Sequence, residues 1–394
     1  MAIIRENHLQ KICIFTGTRA EYGLLQPLMA EISKHPLLSL QLLVSGTHLS
    51  PEFGMTFREI EQAGFHINEK VEMLMSSDSS IGVCKSMGLG LIGFSEALDR
   101  LHPDILVVLG DRYEAFSVAA AAMISRIAIA HIHGGETTTG AVDEPIRHAI
   151  TKMSHLHFTS TEEYRRRVIQ LGESPQRVFN VGALGIENIR NCPLLDREAL
   201  EKDLHFRFGP HSALVTFHPT TLEKNAAGDQ FGQLLQALEN FSDLKIIFTK
   251  ANADMDGRVI NRMIDDYIGA NPERAVAFTS MGQTRYLSAM QQVSMVLGNS
   301  SSGIIEAPSF GVPTVNIGDR QKGRVRAASI IDCNTDARSI AAAIRKSLSV
   351  KFRAKASQAV NPYDKEDTAH SITTILAATG PIHLKKAFYD LHNR

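Results

Sequence analysis

The chain has 394 residues, 44% hydrophobic content and a formal net charge of −1. That length exceeds one ordinary core and calls for two domains, while the near-zero charge leaves no field for gathering nucleic acid. No stretch reads as long and apolar enough to span a membrane, and Met1–Gln10 is charged where a signal peptide would be apolar.

Apolar runs and helical spacing alternate from the start. Strands are expected at 11–16, 41–45, 66–71, 105–109, 127–132, 155–160 and 179–181. Helices are expected between them at 22–34, 55–63, 79–101, 114–125, 144–153 and 162–171. This rhythm predicts a parallel sheet covered on both faces. Ligands of such sheets sit beyond the carboxyl ends of the strands, which is where Thr18-Arg19, Thr47-His48, Asp111-Arg112 and His133 to Glu136 fall.

A segment rich in Pro and charge, 191–210, reads as interdomain with some helix of its own. The alternation then restarts. Strands are expected at 213–217, 245–249, 275–279, 294–297 and 313–317, and helices at 229–241, 256–268, 284–292, 336–348 and 365–378. The expected architecture is α/β, with two Rossmann-like domains facing across a cleft: residues 1–190, residues 191–363, and a C-terminal helical segment, 364–394. Neither half carries G-x-G-x-x-G in the dinucleotide context or G-x-x-x-x-G-K-[ST], which argues against NAD and against P-loop ATP hydrolysis. The four cysteines, Cys13, Cys84, Cys192 and Cys333, are far apart and lack zinc spacing, so a reduced cytoplasmic setting is expected.

Two strand-end loops of the second half look suited to a nucleotide. Gly298-Asn299-Ser300-Ser301-Ser302-Gly303 precedes a helical pattern from Ile304. Small residues at a helix mouth leave N–H groups open to an anion. Glu306 is read in the first turn, where it either caps the helix or accepts from a sugar diol. Gly318-Asp319-Arg320 leads into Lys322, Arg324 and Arg326, and the planar fork of arginine matches phosphate oxygens. In the first half, Asp111, His133, Glu136, Asp143, Glu144, Arg147 and His148 gather titrating groups for acid–base chemistry, joined by His218 from the second. Plainer readings remain for several. Asp111-Arg112 can be a local ion pair, Asp143 and Glu144 a helix cap and first turn, and His218 a strand end.

Ordered motifs over nearly the whole chain carry a resemblance. They are Gly17-Thr18-Arg19-Ala20-Glu21-Tyr22-Gly23, Gly110-Asp111-Arg112, His131-Ile132-His133-Gly134-Gly135-Glu136, Ile146-Arg147-His148-Ala149-Ile150-Thr151-Lys152, Gly298-Asn299-Ser300-Ser301 and Gly318-Asp319-Arg320-Gln321. With them the chain resembles the hydrolysing UDP-N-acetylglucosamine 2-epimerases of sialic acid biosynthesis. The resemblance implies the GT-B architecture, a UDP-sugar substrate, no metal or other cofactor, no nucleic acid or membrane partner, and a homodimer or homotetramer. It implies loss of UDP to give a glycal, then hydration to N-acetylmannosamine. Carried over by position, Arg19, His48, Arg147, Asn252, Ser300, Ser301, Gly303, Glu306 and Arg320 are the expected UDP-sugar contacts. Asp111, Arg112, His133, Glu136, Asp143 and His218 are the expected catalytic group. His133 stands where several members have a catalytic Glu. Either His133 takes that role or Glu136 or Glu144 does, and His133 is placed first because it fills the matched position. The same reaction on UDP-2,4-diacetamido-2,4,6-trideoxyglucose, a non-hydrolysing epimerase and a UDP-sugar-binding protein are the alternatives.

Overall fold

In the computed structural model, residues 9–75, 77, 79–138, 143–219, 227–251 and 257–391 are described. The strands are β1 (Gln10–Thr16), β2 (Leu38–Ser45), β3 (Glu69–Val71), β4 (Ile105–Leu109), β5 (Ala128–Ile132), β6 (Leu156–Thr159) and β7 (Val178–Asn180), then β8 (His211–Thr216), β9 (Leu244–Thr249), β10 (Ala275–Phe278), β11 (Met295–Gly298), β12 (Thr314–Ile317) and β13 (Ile330–Cys333). They form a seven-stranded sheet in the order β3-β2-β1-β4-β5-β6-β7 and a six-stranded sheet in the order β10-β9-β8-β11-β12-β13. All pairings are parallel.

Both sheets are two-faced. In the first, Ile12, Ile14 and Val107 pack one side while Cys13, Phe15, Leu106 and Val108 pack the other. In the second, Val215, Phe248 and Leu297 oppose Leu214, Ile247 and Val296. Apolar residues at every strand position satisfy both helical layers, which is why the strands read as unbroken hydrophobic runs.

The chain divides into two compact units. One is 1–136, 143–188 and 365–394; the other is 137–142 and 189–364. Each is thus discontinuous. The C-terminal helix Thr368–Thr379 belongs to the first unit, where Thr368 Oγ1 donates to the Val181 carbonyl (2.8 Å) and the Ala369 N–H to Glu187 (2.6 Å).

Four sequence expectations need correction. The helix after β11 runs Ser301–Ile305 and starts before Ile304, because Ser300 takes extended backbone and caps it. Glu306 is therefore at the C-terminal end of that helix, not in its first turn. Strand β13 and the helices Leu184–Asn191 and Val350–Ser357 have no counterpart in the sequence reading. Finally, the helix Ser80–Leu101 is, by length and composition, apolar enough to cross a membrane. Its buried side, with Phe94, Ala97, Leu98 and Leu101, packs on the first sheet. Ile81, Leu89 and Ile92 on the same helix are exposed.

Candidate functional site

The first unit's titrating residues gather at the carboxyl ends of β4 and β5. Arg147, on the helix Asp143–Met153, is the cation at their centre, with its side chain 3% exposed. Its Nη2 pairs with Asp111 Oδ2, just past β4. Its Nη1 donates to the His133 carbonyl (2.9 Å) and lies 3.9 Å from Glu136 Oε2. Glu136 Oε1 accepts from Ser160 Oγ (2.6 Å) and lies 3.7 Å from His133 Nδ1. A charge this deep is tolerated because it is paired and hydrogen-bonded. Arg147, expected among the UDP-sugar contacts, has its guanidinium against Asp111, Glu136 and the His133 carbonyl.

His133 adopts a left-handed backbone, φ 65°. Its N–H donates to the Phe158 carbonyl (2.8 Å) while its own carbonyl takes the Arg147 bond. A non-glycine residue held there stores about 1–3 kcal/mol, and such strain gathers at functional positions. One step back, His131 lies fully buried with Nε2 2.7 Å from the Gly110 carbonyl and Nδ1 3.1 Å from Thr151 Oγ1. Burial holds its pKa down at about 3, so the ring is neutral. Because a carbonyl only accepts, Nε2 carries the proton. His131 thereby fixes the turn that precedes Asp111.

Asp111 and Arg112 do not pair with each other. Arg112 Nε and Nη2 each lie 3.2 Å from the buried Glu114 carboxylate. Nearby, Glu21 accepts from the Gly17 and Thr18 N–H groups (2.8 and 3.1 Å). Burial pushes the Glu21 carboxyl up to about 7; Arg112 opposes the rise and Glu114 adds to it. Arg19 pairs with Glu59 at 2.8 Å and keeps its side chain one-third exposed. His48, another expected contact, is fully buried between Thr16 Oγ1 (3.0 Å) and Thr56 Oγ1 (2.7 Å). Burial lowers its pKa to about 4. Both its ring nitrogens are engaged, so it braces the loop after β2. Asp143 is the first residue of its helix and half-buried. Glu144 lies 3.4 Å from His148 on the next turn.

In the second unit Asn299 joins three loops. Its side chain clamps the His218 backbone, accepting from its N–H (2.7 Å) and donating to its carbonyl (2.8 Å). Its own carbonyl accepts from Arg320 Nη1 (3.1 Å) and Gln321 Nε2 (2.8 Å). The approach depends on Gly298, φ 132°, where a Cβ would fall 1.9 Å from the Thr216 carbonyl; only glycine fits. Ser300 Oγ accepts from the Ser302 N–H (3.4 Å), and Ser301 opens the helix half-buried. Gly303 is buried against β12, its carbonyl taking the Thr314 hydroxyl (2.8 Å), so it is a packing position. Burial raises the Glu306 carboxyl, and the neighbouring Ser302 side chain opposes the rise. Tyr286 is a further member absent from the sequence reading. Burial, with Glu306 close by, pushes its hydroxyl up to about 12, while the neighbouring Ser302, Thr216 and Ser300 side chains pull it down. Asn252 lies outside the described residues.

A family model described as UDP-N-acetylglucosamine 2-epimerase matches residues 30–377. The chain belongs to the UDP-N-acetylglucosamine 2-epimerase family. Among its relatives, a GDP/UDP-N,N'-diacetylbacillosamine 2-epimerase (hydrolyzing) from Campylobacter jejuni is 46% identical over 323 residues, covering 82% of this chain and 84% of the relative. A polysialic acid biosynthesis protein P7 from Escherichia coli is 40% identical over 389 residues, covering 97% and 98%. The fold matches that of a Neisseria meningitidis UDP-GlcNAc 2-epimerase crystallised with UDP-GlcNAc, with TM-score 0.79 at 16% identity, covering 94% of this chain and all of that one. This family member therefore has the two-domain, parallel-sheet α/β architecture of the GT-B type.

Proposed function

We propose that this epimerase-family chain is a hydrolysing UDP-sugar 2-epimerase. The observation that carries the reading is the cluster of Asp111, Arg147, His133 and Glu136, paired through the Arg147 guanidinium, at the ends of β4 and β5. Abstracting a weakly acidic proton needs a base held in place by its neighbours, and this group supplies one. In the reaction a base takes the proton from C2 of the sugar. The C1–O bond breaks with its electron pair leaving on UDP, and a glycal remains. Water then adds its hydroxyl at C1 while a proton returns to C2 on the opposite face, releasing the free 2-epimer. His133 is our first choice for the base, with Glu136 or Glu144 as its replacement. Asp111 and Asp143 are the supporting carboxylates, Arg112 a charge near the reacting centre and His218 a sugar or phosphate contact. Ser300, Ser301, Arg320 and Arg19 hold the diphosphate as it departs, and Glu306 takes the ribose hydroxyls.

The hydrolysing relative at 46% identity favours a 2,4-diacetamido-2,4,6-trideoxy sugar on UDP. The polysialic acid relative, matched over 97% of this chain, favours UDP-N-acetylglucosamine. Incubation with each UDP-sugar in deuterium oxide, followed by NMR, separates them. Free UDP with a 2-deuterated, 2-epimerised sugar is expected from one of the two. A stable UDP-linked epimer would make the enzyme non-hydrolysing, and no turnover of either would leave only a binding protein. We assign it to the cytoplasm, where UDP-sugars are made and used. We also read a homodimer or homotetramer in which a second copy covers Ile81, Leu89 and Ile92. Light scattering should show a multimer, and Ile92→Glu should dissociate it.

A further inference from the structure

We propose that Arg324 is a positioning residue that ties the acid–base segment to the nucleotide loop. The idea rests on the reading above and adds a coupling to it. The chain leaves the first unit after Glu136 and re-enters it at Asp143, while 137–142 groups with the second unit. Glu136 is therefore followed directly by two residues, Thr137 and Thr138, that the second unit holds. The holding contact is specific. Arg324, 7% exposed, donates from Nε to the Thr137 carbonyl (2.9 Å) and from Nη2 to Thr138 Oγ1 (3.4 Å). Gly323 precedes it at φ 80°, and a Cβ there would lie 3.0 Å from Thr137 Oγ1. Backbone angle and space thus both require glycine where the segment seats.

The loop that grips this segment also carries Arg320, and it is braced by its own contacts. Arg326 donates to the carbonyls of Arg324 (3.2 Å) and Gln321 (3.1 Å) and pairs with Asp332 (3.1 Å). Arg320 and Gln321 hold the Asn299 carbonyl, and Asn299 holds His218. A diphosphate drawn to Arg320 pulls on a loop whose other end fixes Thr137 and Thr138. Occupancy of the nucleotide loop thereby bears on where Glu136 stands, and misplacement by about 1 Å costs about 100-fold in rate.

The test uses the full chain with Arg324→Met, Arg324→Lys and, in case the first folds poorly, Thr138→Val. UDP affinity is measured by calorimetry, turnover on whichever UDP-sugar the wild type accepts, and hydrogen exchange over residues 133–144 with and without UDP. For Arg324→Met we expect the Kd for UDP within threefold of wild type and kcat lower by about 10- to 100-fold. Arg324→Lys should recover part of the loss, because an ammonium can still donate to the Thr137 carbonyl; Thr138→Val should fall between. UDP should slow exchange over 133–144 in the wild type and fail to do so in Arg324→Met. Loss of UDP affinity in step with kcat would overturn the proposal, as would exchange indifferent to UDP in the wild type. A wild type that binds UDP but turns over neither sugar sinks the catalytic reading while the exchange result still decides the coupling; one that binds no UDP overturns both.

Discussion

Asp111 and Arg147 stand 36 residues apart in sequence and share one ion pair, made by an arginine side chain that is 3% exposed. The aspartate ends a strand turn and the arginine sits one turn into a helix. Their pairing fixes the register of that helix on the sheet, and it sets His133 and Glu136 against the same guanidinium.

Removing the charge on Asp111 should separate chemistry from binding. Asp111→Asn should retain UDP affinity within a few-fold and lose about 100-fold or more in kcat. Arg320→Ala should do the reverse, weakening UDP about 10- to 100-fold through loss of a charge-assisted contact. Calorimetry with UDP alongside steady-state turnover checks both. Equal loss of UDP binding in the two variants would contradict the division of labour.

His133→Gln should depress kcat by about 100- to 10,000-fold with little change in melting temperature, since the backbone bonds to Phe158 and Arg147 do not involve the ring. Near-normal turnover would move the base to Glu136 or Glu144.

Glu21 gives a pH signature. Its carboxyl titrates near 4.5 when unfolded and at about 7 when buried in the fold. Between those values the folded state binds the extra proton, so stability falls as pH rises from about 4.5 to about 7 and then levels off. Glu21→Gln carries no such charge. Its melting temperature should match the wild type near pH 4.5 and exceed it near pH 8. Parallel profiles in calorimetric scans would show that Glu21 does not titrate in this window.

Gly298→Ala should destabilise the second unit by about 1–3 kcal/mol, because the new methyl group falls on the Thr216 carbonyl at a strained φ. Urea melts would measure it. The loop that holds Asn299 should shift too, so UDP affinity should fall together with stability. A variant as stable as wild type would mean that the β8 and β11 ends can separate.

The strands were legible because buried parallel strands are apolar at every position. β13, with Asp332 and Cys333 in its four residues, is an edge and gave no such run. The start of the helix at Ser301 is hidden in the sequence because serine and glycine are weak helix formers, and the Ser300 cap that starts it is a matter of geometry. Strand-end loops mark where titrating residues gather, but not which of them pair. Arg112 turned to Glu114, Asp111 went to Arg147, and His48 was shut in by two threonines. Tyr286 and Glu21 reach their places from helices whose sequence gives no sign of it. Contacts over 36 or 81 residues depend on how strands stack in the sheet, which local spacing does not encode.

The first sheet ends on both sides in strands of only three residues, β3 and β7. So little open hydrogen-bonding edge gives another chain scant template for adding a strand. Lys70 also crosses the β3 side, reaching Glu61 and the Phe57 ring. Fibril-like aggregation through this sheet should therefore require prior unfolding, and heat-stressed samples should stay clear up to the onset of the melting transition.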